Sequence, residues 1–170
     1  MILPKRFLTF VSFTVCENDW VSHSASGGCF KYFPLLMSWE DARSYCQENV
    51  PYNIGDLVSI PDAATNDFLQ TLIQDAYIWT GGFLDANSSW AWSDGTPWDF
   101  TNWLEGEPDN GDGVQTHVAF NVDSTGRWDD EFVGSEKSFL CHYKGKKHFD
   151  NNNLPQTVIK SHSIVHFLSF

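Results

Sequence analysis

The feature that most restricts the fold of this chain is residues 85–112, a stretch with the composition of a loop that also carries large aromatic side chains. Asn, Asp, Ser, Gly and Pro are abundant in it, and these residues favour turns over regular elements. Solvated loops do not hold many rings, yet five occur here: Trp90, Trp92, Trp98, Phe100 and Trp103. The sequence therefore predicts a long, ordered and irregular segment that packs its own rings, and such segments are typically functional.

Regular elements are predicted before this segment. Gly27 and Gly28 separate two short apolar runs and indicate a hairpin. Ser38 can cap a helix that has acidic residues in its first turn. The spacing of apolar residues gives this helix one buried face, made of Trp39, Ala42, Tyr45 and Cys46.

A second helix is predicted to begin at Pro61 and Asp62 and to continue to about Ala76. Its apolar stripe consists of Ala64, Phe68, Leu69 and Leu72.

Three short runs of alternating residues predict strands. The first covers residues 77–80 and is expected to stop at Gly81 and Gly82, and the others cover residues 116–122 and 138–143. The order is then a hairpin, two helices, a long loop and strands, with no internal repeat. This order indicates the α+β fold class.

The chain contains four cysteines, Cys16, Cys29, Cys46 and Cys141, which allow three disulfide pairings. No C-x-x-C spacing indicates zinc or redox chemistry, so we interpret them as disulfides formed in an oxidising compartment. The spacing alone leaves the pairing open.

The net charge excludes some classes of partner. Lys and Arg number 10 against 22 Asp and Glu, which gives a net charge of −12. Such an acidic surface repels phosphate backbones and anionic bilayers, whereas it suits a protein that holds cations through carboxylates. No apolar run approaches the roughly 20 residues that a membrane span needs.

The two ends of the chain differ from its middle. Residues 1–15 combine Lys5 and Arg6 with a following apolar stretch, which is the pattern of a secretory signal peptide, although an N-terminal strand is the alternative. Residues 145–170 begin with a small basic cluster, continue through a polar tract, and are predicted to be a disordered tail. Residues 16–144 remain as the domain, and we expect a secreted, extracellular protein.

Five separated stretches together resemble the C-type lectin-like domain, in its long form with an extra N-terminal disulfide hairpin. They read CENDW…CFKYF, SWEDARSYC, IWTGG, WAWSDGTPWDFTNW followed by GEPDN, and GRWDD…FLC, and they extend over residues 16–144. The resemblance implies two disulfides, Cys16–Cys29 and Cys46–Cys141. It also implies two helices, small antiparallel sheets and a long ordered ligand-binding loop.

The family commonly has another disulfide near the ligand loop, and its two positions here are His117 and Val133. Both cysteines are therefore missing together. We predict that the loop region is more loosely held than in the family at large. We interpret His117 as a packed residue in a strand, with a metal ligand as the alternative.

The resemblance implies a Ca²⁺ site that also binds sugar. Its residues would be Glu107, Asp109, Gln115, Asp129 and Asp130, with a cis peptide bond before Pro108. Carboxylate and amide oxygens are the ligands that Ca²⁺ prefers. In the family, the vicinal hydroxyls of the sugar coordinate the ion directly.

Three departures from the family pattern affect this site. Glu107-Pro108-Asp109 mixes the mannose type, Glu-Pro-Asn, with the galactose type, Gln-Pro-Asp, so the sugar class stays undecided. Gln115 stands where the family has an acidic ligand, and Asp129 stands where it has an asparagine. A carboxylate accepts hydrogen bonds but cannot donate one to a sugar hydroxyl.

The first functional hypothesis is a secreted, calcium-dependent carbohydrate-binding module whose partner is a carbohydrate or glycoprotein. The alternative is the same fold binding a protein or surface ligand without calcium or sugar. An enzyme is not expected, because the sequence shows no nucleophile motif and no histidine with a recognisable orienting partner. We interpret Trp92 and Trp103 as core rings, and Asn87 as a glycosylation acceptor.

Overall fold

The structure, a computed structural model of the chain, describes residues 12–149. The strands are β1 (Ser12–Val15), β2 (Val21–His23), β3 (Gly28–Met37), β4 (Asp56–Leu57), β5 (Ile78–Leu84), β6 (Trp90–Trp92), β7 (Gln115–Phe120), β8 (Trp128–Phe132), β9 (Lys137–Lys144) and β10 (Lys146–Phe149). The helices are α1 (Trp39–Asn49) and α2 (Ala63–Ile73), with 3₁₀ turns at Pro51–Asn53 and Gly111–Gly113.

One sheet of eight strands forms the centre of the fold, in the order β2-β3-β9-β5-β7-β8, with β4 beside β9 and β6 beside β5. The pair β5 and β9 is parallel, and the other pairs are antiparallel. The predicted α+β class is confirmed, including the hairpin of β2 and β3. Because β7 and β8 lie at one edge of the sheet, the long loop that precedes β7 is held at that edge.

Helix α1 forms as its sequence predicts. The Ser38 side chain caps it by accepting a hydrogen bond from the Asp41 amide at 3.3 Å. Trp39, Ala42 and Cys46 are buried, and Tyr45 is half-buried. This face places Cys46 against β9, where it forms the disulfide with Cys141.

Helix α2 begins as predicted but differs in its end and in its buried face. The Asp62 carboxylate caps it by accepting from the Thr65 amide at 2.7 Å. The helix ends at Ile73, because the next residue, Gln74, has a left-handed φ of 55°. Ala64 is exposed, and the buried face consists of Thr65, Asn66, Leu69 and Ile73.

Strand β5 continues through Gly81 and Gly82, so the prediction that it ends there is wrong. A Cβ on Gly81 would lie 2.9 Å from the Leu57 carbonyl oxygen, and one on Gly82 would lie 2.5 Å from a methyl carbon of Val118. The two glycines therefore allow neighbouring strands to approach closely, which is a recognised use of glycine inside a strand.

Two disulfides close the fold, and their pairing is the one that the family resemblance implies. The N-terminal disulfide, Cys16–Cys29, joins residues 13 apart, and the long disulfide, Cys46–Cys141, joins residues 95 apart. The described part of the chain contains no free cysteine.

The ends of the described chain pair with each other. Strand β1 runs antiparallel to β10, with Ser12 opposite Phe149. Strand β1 occupies the last four residues of the predicted signal peptide, as in the alternative interpretation of that segment, and the rest of the segment lies outside the described residues. Strand β10 lies within the predicted tail, so the first residues of that tail are paired with β1. Residues 150–170 lie outside the described part.

Candidate functional site

A cluster of aromatic rings fixes the long loop to the sheet. At its centre is Trp128 of β8, which is fully buried and donates its indole N–H to the Asn66 side-chain oxygen at 2.9 Å. Four rings of the loop lie with their centroids 5.6–5.8 Å from that of Trp128: Trp92, Trp98, Phe100 and Trp103. Trp92 is buried, as predicted, and Trp103 is half-buried. The segment is thus ordered by its own rings.

Backbone hydrogen bonds join the loop to β8 on both sides of Trp128. The Trp128 amide donates to the Asn102 carbonyl at 2.9 Å, and the Leu104 amide donates to the Trp128 carbonyl at 2.8 Å. The chain immediately before Glu107 is therefore fixed beside the strand that carries Asp129 and Asp130.

The Asp130 side chain binds the turn that follows Pro108. It is fully buried, and its two oxygens accept hydrogen bonds from the amides of Asp109, at 3.0 Å, and Asn110, at 2.9 Å. A buried carboxylate is tolerated when such donors satisfy it. Asp130 therefore determines where residues 107–110 lie.

The acidic turn is further held by its own side chains. The Glu107–Pro108 peptide bond is cis, as the resemblance implies. Glu107 accepts from the Asp109 amide at 3.1 Å. The Gly111 amide donates both to Asp109, at 2.9 Å, and to the Gln115 side-chain oxygen. Because one N–H serves both acceptors, oxygens of Asp109 and Gln115 lie side by side.

Three carboxylates converge at this turn. Glu107, Asp109 and Asp130 each offer one oxygen, and these oxygens all lie within 4.8 Å of one another. Gln115 adds an amide oxygen next to Asp109. Of the five predicted site residues, the structure thus places four at this turn, and the fifth, Asp129, lies beside Glu107, within hydrogen-bonding reach of its carboxyl group.

The Asp129 carboxylate is also bound by a residue that the sequence analysis does not place in the site. The Tyr77 hydroxyl donates to Asp129 at 2.9 Å. Burial raises the pKa of Asp129, and the Tyr77 hydrogen bond partly offsets this effect. The sequence pattern places Tyr77 only in a strand, and no short motif links it to a residue 52 positions later.

Mutual repulsion shapes the electrostatics of the cluster. Burial, followed by the charges of Asp129 and Asp109, raises the pKa of Glu107 to about 7. Like charges held close together disfavour ionisation, and a nearby cation reverses that effect. The cluster is therefore short of positive charge, which is the state expected of a site that receives a cation.

His117 and Val133 occupy the positions of the missing family disulfide, and they contact the same residue of α1. The His117 ring centroid lies 4.4 Å from that of Trp39, and the Val133 carbonyl accepts from the Trp39 amide at 3.1 Å. Burial lowers the pKa of His117 to about 4. These contacts support the interpretation of His117 as a packed residue.

A second polar cluster lies at a cavity of about 390 Å³ that includes Ser59, Asp94 and His142. Asp94 accepts from the Ser59 hydroxyl at 2.9 Å and lies 3.0 Å from the His142 ring nitrogen. The carboxylate thus lies between the hydroxyl and the imidazole. A serine nucleophile needs a direct contact with its base, so this order is not that of a catalytic triad.

Asn87 lies exposed in the turn between β5 and β6. The Asp85 carboxylate closes this turn by accepting from the amides of Asn87, at 2.8 Å, and Ser89, at 2.9 Å. The predicted glycosylation acceptor is therefore in an accessible position, and its modification stays a prediction.

The fold and its loop define a ligand-binding domain, and the comparisons identify the family. A family model described as the lectin C-type domain matches residues 35–143. The chain therefore belongs to the C-type lectin domain family. This family is a class of non-enzymatic binding domains, so the chain is not an enzyme, as its sequence predicts.

The relatives differ in what they bind. A lectin of Pleurodeles waltl is 34% identical over 134 residues, which cover 75% of this chain and 76% of that protein. One subunit of a snaclec from Trimeresurus stejnegeri, named as binding coagulation factors IX and X, is 31% identical over 135 residues, covering 74% and 83%. The cow CD23 carbohydrate-recognition domain, solved with an oligosaccharide, is 29% identical with a TM-score of 0.69, covering 78% and 98%.

Within residues 12–149, neither helix has the length and apolar character to cross a membrane.

Proposed function

We propose that this domain binds Ca²⁺ at the acidic turn and uses the occupied turn to bind a carbohydrate. The observation that carries the proposal is the convergence of oxygens from Glu107, Asp109 and Asp130 within 4.8 Å of one another. Ca²⁺ takes six to eight oxygen ligands at about 2.3–2.6 Å, so two oxygens on one ion lie at most about 5 Å apart. The spacing of the three carboxylates fits this limit.

The chemistry of the donors also fits the ion. The three convergent side chains offer carboxylate oxygens, and Gln115 adds a neutral amide oxygen beside Asp109. A bound Ca²⁺ supplies positive charge together with open coordination positions for ligand oxygens. Because a proton on Glu107 competes with the ion, calcium affinity is expected to rise with pH through about 7.

Thermal melts of the full chain test calcium binding. With calcium at about 100 times its dissociation constant, the free energy of unfolding should increase by about 2.7 kcal/mol relative to chelator, a rise of several degrees in Tm. Glu107→Ala should abolish the rise. Glu105→Ala is the matched control, since Glu105 is an exposed acid two residues earlier. Coincident melts of the wild type would refute calcium binding.

Two conservative variants test the sugar class. Asp109→Asn converts the triplet to the mannose type, and Glu107→Gln converts it to the galactose type. Each exchanges one acceptor-only carboxylate for an amide that also donates. We expect the two variants to favour mannose and galactose, respectively, when both sugars compete for the immobilised protein. Identical preferences in both variants would show that this turn does not select the sugar.

The second candidate function is the binding of a protein or surface ligand without calcium or sugar. One observation favours it: oxygens of Asp109, Gln115 and Asp130 already accept backbone N–H groups, so the turn is held by the protein itself. The factor-binding snaclec is a relative whose name describes a protein partner. Binding to a glycoprotein that survives both chelator and competing monosaccharide would support this candidate and contradict the first.

We further propose that the protein is secreted, with a signal in residues 1–15, a domain in residues 16–144 and a tail beyond. Two disulfides support an extracellular location. The mass of the protein recovered from medium tests the signal and its end. Cleavage before Ser12 keeps β1 paired with β10, whereas cleavage after Val15 removes β1.

A further inference from the structure

The acidic turn contains the one Asn–Gly pair of the sequence, Asn110–Gly111. Asn110 is exposed, and its backbone is left-handed, with φ 49° and ψ 50°, a conformation that asparagine tolerates better than most residues. Gly111 has no Cβ, so its backbone nitrogen is less shielded than that of another residue would be. A pair of residues that can react with each other therefore lies between Asp109 and Gln115.

The reaction open to this pair is the deamidation of asparagine. The Gly111 nitrogen loses its proton and bonds to the side-chain carbonyl carbon of Asn110, and ammonia leaves, which produces a five-membered succinimide ring. Water then opens the ring at either of its two carbonyls. One opening yields aspartate, and the other yields isoaspartate, in which the backbone runs through the former side chain. The sequence consumes only water and involves no change of oxidation state.

The folded turn restrains both reacting groups. The Gly111 N–H donates to Asp109 at 2.9 Å and to the Gln115 side-chain oxygen. The Asn110 side-chain oxygen accepts from the Gln115 amide at 3.1 Å, and the Asn110 amide donates to Asp130 at 2.9 Å. A nitrogen whose proton is shared by two acceptors is not free to attack. The reaction therefore requires local opening of the turn, which exposed segments with few apolar contacts undergo most readily.

We propose that Asn110 is a site of spontaneous deamidation, and that the hydrogen bonds of the acidic turn set the rate of this modification. The isoaspartate product has one more backbone carbon before Gly111, so the Gly111 N–H is displaced from Asp109 and Gln115. The aspartate product keeps the backbone and adds a negative charge to a turn that already holds several. Either product alters the turn permanently, and the expected loss of calcium binding in the isoaspartate form rests on the proposed function.

The test is incubation of the full chain at mildly alkaline pH in chelator, both folded and in denaturing urea. Digestion and mass spectrometry then measure aspartate and isoaspartate at each asparagine. In urea, Asn110 should react fastest of all the asparagines, because only this one precedes a glycine. In the folded protein, Asn110 should also be converted, but more slowly than in urea, because the turn must first open.

Two variants test whether the turn controls the rate. Gln115→Ala and Asp109→Ala each remove one acceptor of the Gly111 N–H, so each should raise the rate at Asn110 in the folded protein by about fivefold. Both should leave the rate in urea unchanged, since the residue after Asn110 is the same. Gln70→Ala is the matched control: its side chain donates to the Ser124 carbonyl at 2.8 Å, and both rates should equal those of the wild type.

Several outcomes would overturn the inference. The first is an absence of conversion at Asn110 in the folded protein over an incubation that converts it in urea. The second is an equal rate in the folded protein and in urea, and the third is an unchanged folded rate in both turn variants. Urea midpoints of the variants establish that they are folded during the assay.

Calcium separates this inference from the proposed function. An ion held by Glu107, Asp109 and Asp130 would keep the turn closed, so calcium should slow the conversion of Asn110 in the folded protein. If the conversion follows the turn variants but calcium changes neither its rate nor the Tm, the proposed function is wrong and the modification site stands. If calcium raises the Tm and Asn110 is not converted, the reverse holds.

Discussion

Replacement of His117 by phenylalanine should remove part of the acid sensitivity of this domain. The His117 ring is half-buried against Trp39, at a centroid distance of 4.4 Å. Burial disfavours the charged ring and lowers its pKa from 6.5 to about 4. Between these values the unfolded chain binds more protons than the folded one, so the free energy of unfolding falls as pH falls.

The size of this change in the free energy of unfolding follows from the displacement of the His117 pKa. At about 1.36 kcal/mol per pH unit, a displacement from 6.5 to about 4 sets an upper limit of roughly 3 kcal/mol. The ring keeps some contact with solvent, which reduces the effect, so we expect about 1.5 kcal/mol to be lost between pH 7 and about pH 4.5. Phenylalanine preserves a ring against Trp39 and cannot take a proton.

The assay is urea unfolding followed by tryptophan fluorescence, at both pH values and in chelator so that no metal contributes. His117→Phe should lose about 1.5 kcal/mol less than the wild type over this interval. His23→Gln is the control, since His23 ends the edge strand β2 and stacks on Phe68, with ring centroids 4.3 Å apart. An unchanged pH dependence in His117→Phe would refute the burial argument.

Three further predictions concern stability. Replacing both cysteines of the long disulfide by alanine should lower the free energy of unfolding by about 4–5 kcal/mol, because that disulfide joins residues 95 apart. The same change at the N-terminal disulfide, which joins residues 13 apart, should lower it by about 3 kcal/mol. Equal urea midpoints of the two variants would contradict this. Asn66→Ala should lower the free energy of unfolding by about 1–3 kcal/mol, since the buried indole N–H of Trp128 loses its acceptor. Calorimetric unfolding measures this change, and an unchanged Tm would contradict the prediction. Amides of residues 107–133 should exchange faster than those of β3 and β9, and equal protection would show that the contacts of Trp39 replace the missing disulfide.

Local chemistry made much of the fold predictable. Ser38 and Asp62 cap the two helices through their own side chains, as their positions in the sequence indicate. The ring-rich composition of residues 85–112 predicted an ordered loop, and Trp92 is buried as expected. These features depend on neighbours in the chain, which a single sequence shows directly.

The predictions that were wrong, for the end of β5 and the buried face of α2, failed because contacts between distant residues decide these features. Gly81 and Gly82 look like a strand terminator, yet they lie inside β5 because Leu57 and Val118 approach them closely. Asn66 is buried because Trp128, 62 residues later, donates to it. No local pattern contains information about partners of this kind.

In the candidate site, too, local motifs identify some residues, whereas the position of another depends on a distant contact. The acidic turn and Gln115 are identifiable from a short motif and its family resemblance, and the structure places these four residues at one turn with Asp129 beside Glu107. The position of Asp129 depends on Tyr77, which belongs to a different strand region. Register between strands decides that contact, and the sequence does not specify it.

The tryptophan cluster gives the long loop a built-in optical label. Neighbouring rings among Trp90, Trp92, Trp98, Trp103 and Trp128 have centroids 4.4–6.3 Å apart and interplanar angles of 22–75°. Transition dipoles at such separations couple, so the native loop should produce intense near-ultraviolet circular dichroism. This signal disappears when side-chain packing is lost, even if the backbone remains ordered. Loop integrity can thus be followed in unlabelled protein while any ligand is titrated.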